Sequence, residues 1–257
     1  MFNPEDKVIV PEPTPERVYQ CALYLQKHSG GILRTDFKKA MAMPEICSDS
    51  SGKIFDTTYG VLKELGLCSE VDGKIWPSDA LKKIKNANDF RRYCARFVFQ
   101  FEDSLFFNVT QMYCEYAEEL MAMRKWDDVN VFMGQRGLEF HPNVLKGWRL
   151  WAPFLGCGYL NDYFMIPNWA RRISDLLDTQ TEFRMNEDIP ISKFMFWLTS
   201  QAPEVKNSIQ GTRIGLGVSN GLKTLNDLGE LRVIHTPDAD LWQLSDNSRL
   251  SHVRIVR

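Results

Sequence analysis

Ser51, Lys53, Thr57, Thr58 and Lys63 fall outside an apolar stripe of Phe55, Tyr59, Leu62 and Leu65, whose i, i+4, i+7 spacing predicts one buried helix face. Lys74 follows on the return strand of a predicted hairpin. A second set has the same character: Arg213, Ser219, Asn220, Lys223 and Thr224 accompany the stripe Val218, Leu222, Leu225 and Leu228, with Arg232 beyond it. Hydroxyl, ammonium and guanidinium groups donate to phosphate oxygens, and a carboxamide matches the edge of adenine. Asn220 is the amide so placed. These residue types offer polyanion binding from two helix faces, and duplex DNA is the expected partner.

Bond-making chemistry is not indicated. The four histidines, His28, His141, His235 and His252, are scattered without metal-ligand or triad spacing. No phosphate-loop lysine motif occurs, and the glycines of the stretch 211–217 lack the G-x-G-x-x-G order, which makes that stretch a loop before a helix. Pro237-Asp238 has no suitably placed acid-x-lysine after it and reads as a turn. Glu118-Glu119 and Asp127-Asp128 are sequence neighbours that point apart on a helix. The expectation is a non-enzymatic protein with no cofactor and no metal. The six dispersed cysteines, several inside apolar helical patterns, read as buried free thiols.

Elements must position the two polar sets, and the punctuation is clearest around the first. Gly66 supplies a helix stop, and the segment 67–71 and Lys74-Ile75-Trp76 flank Asp72-Gly73, a dipeptide suited to the positive φ angles of a type I′ turn. Upstream, Thr14-Pro15-Glu16 starts a helix with the stripe Val18, Cys21, Ala22 and Leu25. Ile32-Leu33 reads as a short strand, and Thr35 caps a second helix carrying Phe37, Ala40 and Met41. The segment 14–77 is thus helix, strand, helix, helix, hairpin. Residues 1–13, with Pro4, Pro11 and Pro13, form an extended lead-in.

The Leu-Gly helix end with a following hairpin recurs. Leu65-Gly66 to Pro77 has a counterpart of equal length in Leu155-Gly156 to Pro167. A third version starts at Leu228-Gly229, runs out along 230–235 and returns through Leu241-Trp242-Gln243-Leu244. The last copy also has upstream helices marked by Trp169, Ile173, Leu176 and Leu177 and by Phe194, Trp197 and Leu198, with Ile189-Pro190-Ile191 as a strand between them. The middle copy is less regular, because Pro153 should kink its last helix and Gly134 and Gly137 blur the element before it. Three like modules, or two flanking a helical middle domain, both remain open. Trp148, Trp151, Trp169 and Trp197 lie on helical stripes and are expected in the core.

On these residues, 14–77 and its recurrences resemble the winged-helix superfamily. The resemblance implies a mainly α fold with small β-hairpin wings, in which a third helix enters the major groove or the same surface binds protein. The boundaries that follow are 1–13 lead-in, 14–77 first module, 78–102 linking helix, 103–167 acidic middle module and 168–257 last module with a C-terminal tail. In its Pro-rich start, repeated wings and lack of catalytic motif, the chain is also similar to DpdG-like accessory proteins of bacterial DNA-modification and phage-defence loci. That likeness implies a regulatory or antiviral-defence role and transfers no site residue.

Charge distributes these roles. The formal net charge is -2, with 15 bases against 13 acids over 1–100, 9 against 14 over 101–200 and 7 against 6 over 201–257. A chain this close to neutral does not coat nucleic acid by bulk electrostatics. The mildly basic ends are where DNA contact is expected. The acidic middle, with His141, Asn143, Lys146 and Arg149 on its last helix, suits a protein partner. Lys82, Lys83, Lys85, Arg91, Arg92 and Arg96 in the link are a solvated face or a phosphate-contacting strip. An adaptor of a larger ATPase, nuclease or SMC-type complex that does not touch DNA is the alternative function. No membrane partner is expected, and the N-terminus lacks a secretion signal, so the expected location is the cytoplasm.

Overall fold

The computed structural model describes residues 1–41, 51–162 and 164–256. About half of them are helical and the strands form small sheets, a mainly α architecture with small β elements. The elements in chain order begin with α1 (Pro15–Gln26), β1 (Ile32–Leu33), α2 (Arg34–Met41), α3 (Ser51–Glu64), β2 (Cys68–Val71), β3 (Lys74–Pro77), α4 (Asp79–Lys83) and α5 (Ala87–Val98). Next come α6 (Leu105–Glu115), α7 (Ala117–Met121), α8 (Trp126–Gln135), α9 (Asn143–Phe154), β4 (Gly158–Asn161), β5 (Phe164–Pro167), α10 (Ala170–Leu177) and β6 (Asp188–Pro190). Then follow α11 (Ile191–Gln201), a 3₁₀ turn (Pro203–Ser208), β7 (Ile209–Gln210), β8 (Arg213–Ile214), α12 (Leu216–Asp227), β9 (Leu231–Ile234), β10 (Trp242–Gln243), β11 (Arg249–Leu250) and β12 (His252–Ile255).

The chain divides into two compact units, Met1–Leu105 with Asn143–Trp151, and Phe106–Pro142 with Ala152–Arg257. This division cuts through the expected middle module 103–167, because the first nine residues of α9 belong with the N-terminal unit. The helix also continues through Pro153 to Phe154, so the proline sits in its last turn.

In the first unit, Thr14 accepts the Arg17 N–H at 3.4 Å and Pro15 occupies the first position of α1, so a donor-free residue stands where no intrahelical partner exists. Helix α2 begins one residue before Thr35, which lies in its first turn and is not its cap. Val18, Leu25, Phe37, Phe55, Leu62, Leu65 and Ile75 are buried together with Tyr59, which is why the stripes of α1 and α3 fold onto one another. Beneath them the sheet has the antiparallel order β1-β3-β2, with Ile32 opposite Ile75 and Val71 opposite Lys74. Asp72 (φ 50) and Gly73 (φ 69) make the turn, both in the left-handed region that a type I′ hairpin requires. Helix α5 is pinned by the Tyr93 hydroxyl, which donates to the Leu65 carbonyl at 2.7 Å.

The lead-in is part of this core. Phe2 and Ile9 are fully buried, Phe2 meets Trp151 edge-on at 4.9 Å, and Trp151 donates its indole N–H to the Pro13 carbonyl at 2.8 Å. Gly147 lies so close that an added Cβ would come within 2.5 Å of the Ile9 carbonyl oxygen. The segment runs antiparallel along α3: the Asn3 N–H reaches the Glu64 carboxylate (2.9 Å) at one end, and Glu12 meets Lys53 (3.5 Å) at the other.

In the second unit, β4 and β5 form a two-stranded hairpin turning at Asp162 (φ 51), with no third strand paired to it among the described residues. The third helix-to-hairpin junction departs from expectation. β9 pairs with β12, Leu231 opposite Ile255, and β12 pairs onward with β6. The segment expected as the return strand contributes Trp242–Gln243 to a different sheet, of order β11-β10-β8-β7, in which β10 runs parallel to β8. The expected C-terminal tail is therefore the return strand. Its alternating burial, Val253 and Ile255 in, His252 and Arg254 half out, is the period-two pattern of a half-buried strand.

Candidate nucleic-acid interface

Helix α3 turns Lys53, Asp56, Gly60 and Lys63 to solvent, while Ile54, Phe55, Thr58, Tyr59 and Leu62 turn inward or to the flanks. Of the first predicted set, Lys63 is exposed, and Lys53 is exposed with its ammonium 3.5 Å from the Glu12 carboxylate. Thr57 is half-buried and spends its hydroxyl on the Lys53 carbonyl at 3.0 Å. Thr58 does not belong to the surface: it is 2% exposed and donates to the Ile54 carbonyl at 2.7 Å. Its position one residue past Thr57 rotates it toward the core, and the back-bond satisfies a hydroxyl that water cannot reach. Ser51 is in α3 by its backbone, and its side chain lies outside the described groups. Lys74 is half-buried on the outer face of the hairpin with its ammonium 4.5 Å from the Trp76 ring centre, a cation–π contact.

Two cations absent from the sequence-based set join this surface. Arg34 Nη2 lies 3.1 Å from Asp56 Oδ1, and Lys38 Nζ lies 3.0 Å from Asp56 Oδ2. Arg34 also sits over the Tyr59 ring at 5.3 Å and reaches Glu70 at 3.8 Å, and Lys38 sits over the Phe55 ring at 5.9 Å. Partial burial pushes the Asp56 carboxyl up, and the Lys38 and Arg34 charges more than offset this, holding it below the usual carboxylate range. Arg34 and Lys38 are one turn apart on α2, the spacing that puts two side chains on one face. The sequence held that signal, but only the packing of α2 on α3 directs both at Asp56.

The second predicted set is consumed inside its own unit. Ser219 is fully buried, donates to the Ile214 carbonyl at 2.9 Å and accepts the Ser245 N–H at 3.0 Å. Asn220 donates to the Pro167 carbonyl at 3.0 Å, and Thr224 accepts from the Asn168 amide at 3.0 Å. Lys223 is paired with Asp246, and Arg213, in strand β8, forms a forked contact with the Glu118 carboxylate at 3.0 and 3.1 Å. Arg232, on β9, is the exposed member of this set. The reason is packing on both sides of α12, with α10 and β9 against it and β5, α7 and the 3₁₀ turn also in contact. Gly217 and Gly221 permit this, since added Cβ atoms would meet the Trp169 ring at 2.6 Å and the Ala170 nitrogen at 2.8 Å.

Trp148, Trp151, Trp169 and Trp197 are all buried, as their stripes require. In the linking segment Arg91 is buried, so the positive strip there is Lys83, Lys85 and Arg96 with Lys82 tied to Asp79 at 2.8 Å. Cys21, Cys68, Cys94, Cys114 and Cys157 are buried free thiols, and burial pushes Cys21, Cys68 and Cys114 up to about 12. Cys47 lies outside the described residues. Large apolar side chains are exposed in the second unit: Phe196 at 80%, Tyr159 at 55% and Leu160 at 42%.

No cluster of metal-ligating side chains occurs among the described residues, and no helix there is long and apolar enough to cross a membrane. Comparison with family models, with curated proteins and with solved structures finds no match.

Proposed function

We propose that this is a non-enzymatic winged-helix protein that binds duplex DNA through its N-terminal unit, with α3 in the major groove and the β2–β3 hairpin alongside. One observation carries this reading: the solvent strip of α3 holds Lys53, Asp56, Gly60 and Lys63 and no large apolar side chain, while Arg34, Lys38 and Lys74 border it. A polar helix face with cations on its margins suits phosphate contact, and the open space above Gly60 leaves room for close approach. Helix α12 supports this role less, because Ser219 is buried and Asn220 and Thr224 are engaged with Pro167 and Asn168. Binding measured by fluorescence anisotropy is expected to fall steeply with salt, and Lys53→Glu with Lys63→Glu is expected to abolish it. Lys223→Glu is expected to leave it unchanged. Absence of binding to any duplex at about 50 mM salt, where phosphate contacts are strong, would overturn the reading.

A second reading is supported by a different observation. Tyr159, Leu160 and Phe196 expose large apolar side chains in the second unit, which suits a protein-interaction adaptor. Here a stoichiometric protein partner is expected to survive nuclease treatment and to be lost on Tyr159→Ser or Phe196→Ser.

A further inference from the structure

The geometry points to Arg34 and Lys38 as a phosphodiester-binding pair that the free protein keeps occupied with its own Asp56 carboxylate. The inference rests on the duplex-DNA reading of α3 and names a site within that surface. The pair has the attributes of a built anion site. Each cation is backed by an aromatic face, Arg34 by Tyr59 and Lys38 by Phe55, which fixes the direction of its donors. Arg34 is held from behind by Glu70, itself fixed by the Tyr59 hydroxyl at 2.9 Å.

The two donors converge on two oxygens of one group, at 3.1 and 3.0 Å, as they would on the two free oxygens of a phosphodiester. That group is Asp56, which stands in the exposed strip between Lys53 and Lys63 and is the acid of that strip. All three side chains are more than 40% exposed, so exchange of the carboxylate for an external anion requires no unfolding. A carboxylate in this place is stabilised in the free protein, where it pairs with two cations. On a duplex it becomes a negative charge facing the phosphate backbone. Asp56 therefore sets a ceiling on affinity, and its displacement makes binding conditional on a geometry that delivers a phosphate to Arg34 and Lys38 together.

The test is duplex binding by wild type, Asp56→Asn, Arg34→Gln with Lys38→Gln, and Asp79→Asn, each over a range of salt and each checked for an unchanged melting curve. Asp79→Asn makes the same charge change and frees Lys82 away from α3. The expected result is about tenfold tighter binding for Asp56→Asn with a salt slope steeper by about 0.9, the increment of one additional phosphate contact. The double glutamine variant is expected to bind more weakly with a shallower slope, and Asp79→Asn to match wild type. If wild type binds and Lys53→Glu with Lys63→Glu abolishes it, but Asp56→Asn equals wild type or Asp79→Asn, the Asp56 inference is wrong and the DNA reading stands. If neither wild type nor Asp56→Asn binds duplex, the DNA reading fails and takes the inference with it.

Discussion

Asn220 donates its side-chain amide to the main-chain carbonyl of Pro167 at 3.0 Å, so the residue best suited by type to read adenine is committed to joining α12 to the end of β5. Asn220→Ala leaves that carbonyl without its partner and should destabilise the protein by about 1–2 kcal/mol, the cost of an unmade bond in a partly buried place. Duplex binding should be unaffected. Urea denaturation and anisotropy on the same preparations check both halves, and a binding loss without a stability loss would return α12 to the interface.

The same residue shows where sequence reasoning stops. Helix α12 was legible as a helix, because Val218, Leu222 and Leu225 have helical spacing and are buried; Leu228, the last residue of the predicted stripe, lies past the helix end at Asp227 and is 66% exposed. Its opposite side is polar and predicts a solvent face, yet Ser219 and Asn220 find carbonyl partners contributed by strands β8 and β5. Amphipathic spacing identifies one buried face and says nothing of a second when that face is satisfied by hydrogen bonds. The hairpin at Asp72-Gly73 was legible because turn chemistry is local. The pairing of β9 with β12 was not, since the intervening residues, 235–251, hold strands of another sheet. The Arg34–Asp56–Lys38 contact was invisible for a similar reason, as it joins helices separated by an intervening segment.

Gly60 separates folding from function. It sits in the interior of α3, exposed, with nothing within 4 Å of where a Cβ would be. Its backbone is not in the left-handed region, so no conformational need explains it. Gly60→Ala should stabilise the protein by up to about 1 kcal/mol, the difference between the two residues in a helix interior. If α3 closely approaches a DNA backbone there, the same change should weaken duplex binding severalfold. Opposite signs in the two measurements are the expected outcome, and tighter or unchanged binding would remove Gly60 from the contact.

Arg172 and Glu204 form a buried ion pair in the second unit, Nε to Oε1 at 3.0 Å, with side chains 6% and 0% exposed. Gly156 (φ 94) lies against the backbone of the same arginine, an added Cβ standing 2.9 Å from its nitrogen. Glu204→Gln takes the charged partner from a buried guanidinium that keeps the Gln201 carbonyl at 3.4 Å, and should cost up to about 3–5 kcal/mol. Arg172→Met with Glu204→Leu removes both charges and should recover most of that loss. Denaturation midpoints of the single and double variants decide this, and additive losses would mean the pair is not coupled.

Acid should act on the loop that clamps α12. The Lys223 ammonium bonded to Asp246, then the Ser248 hydroxyl at 2.6 Å and N–H at 3.1 Å, holds the Asp246 carboxyl far below the usual carboxylate range. A folded-state value below the unfolded one means that the group's stabilisation is fully present above the unfolded value, about 3.9, and is lost as pH falls toward the folded one. The loop matters to α12 because Ser245, beside Asp246, donates its N–H to the buried Ser219 hydroxyl. Wild type should therefore melt at a higher temperature than Asp246→Asn above about pH 5, and the gap should narrow below about pH 4 as the carboxylate of the unfolded chain takes up its proton before the folded one does. Both side chains are substantially exposed, so solvent screening keeps the gap small and high salt should shrink it further. A gap that stays constant from pH 5 to strong acid would show that Asp246 works through its neutral hydrogen bonds and not through its charge.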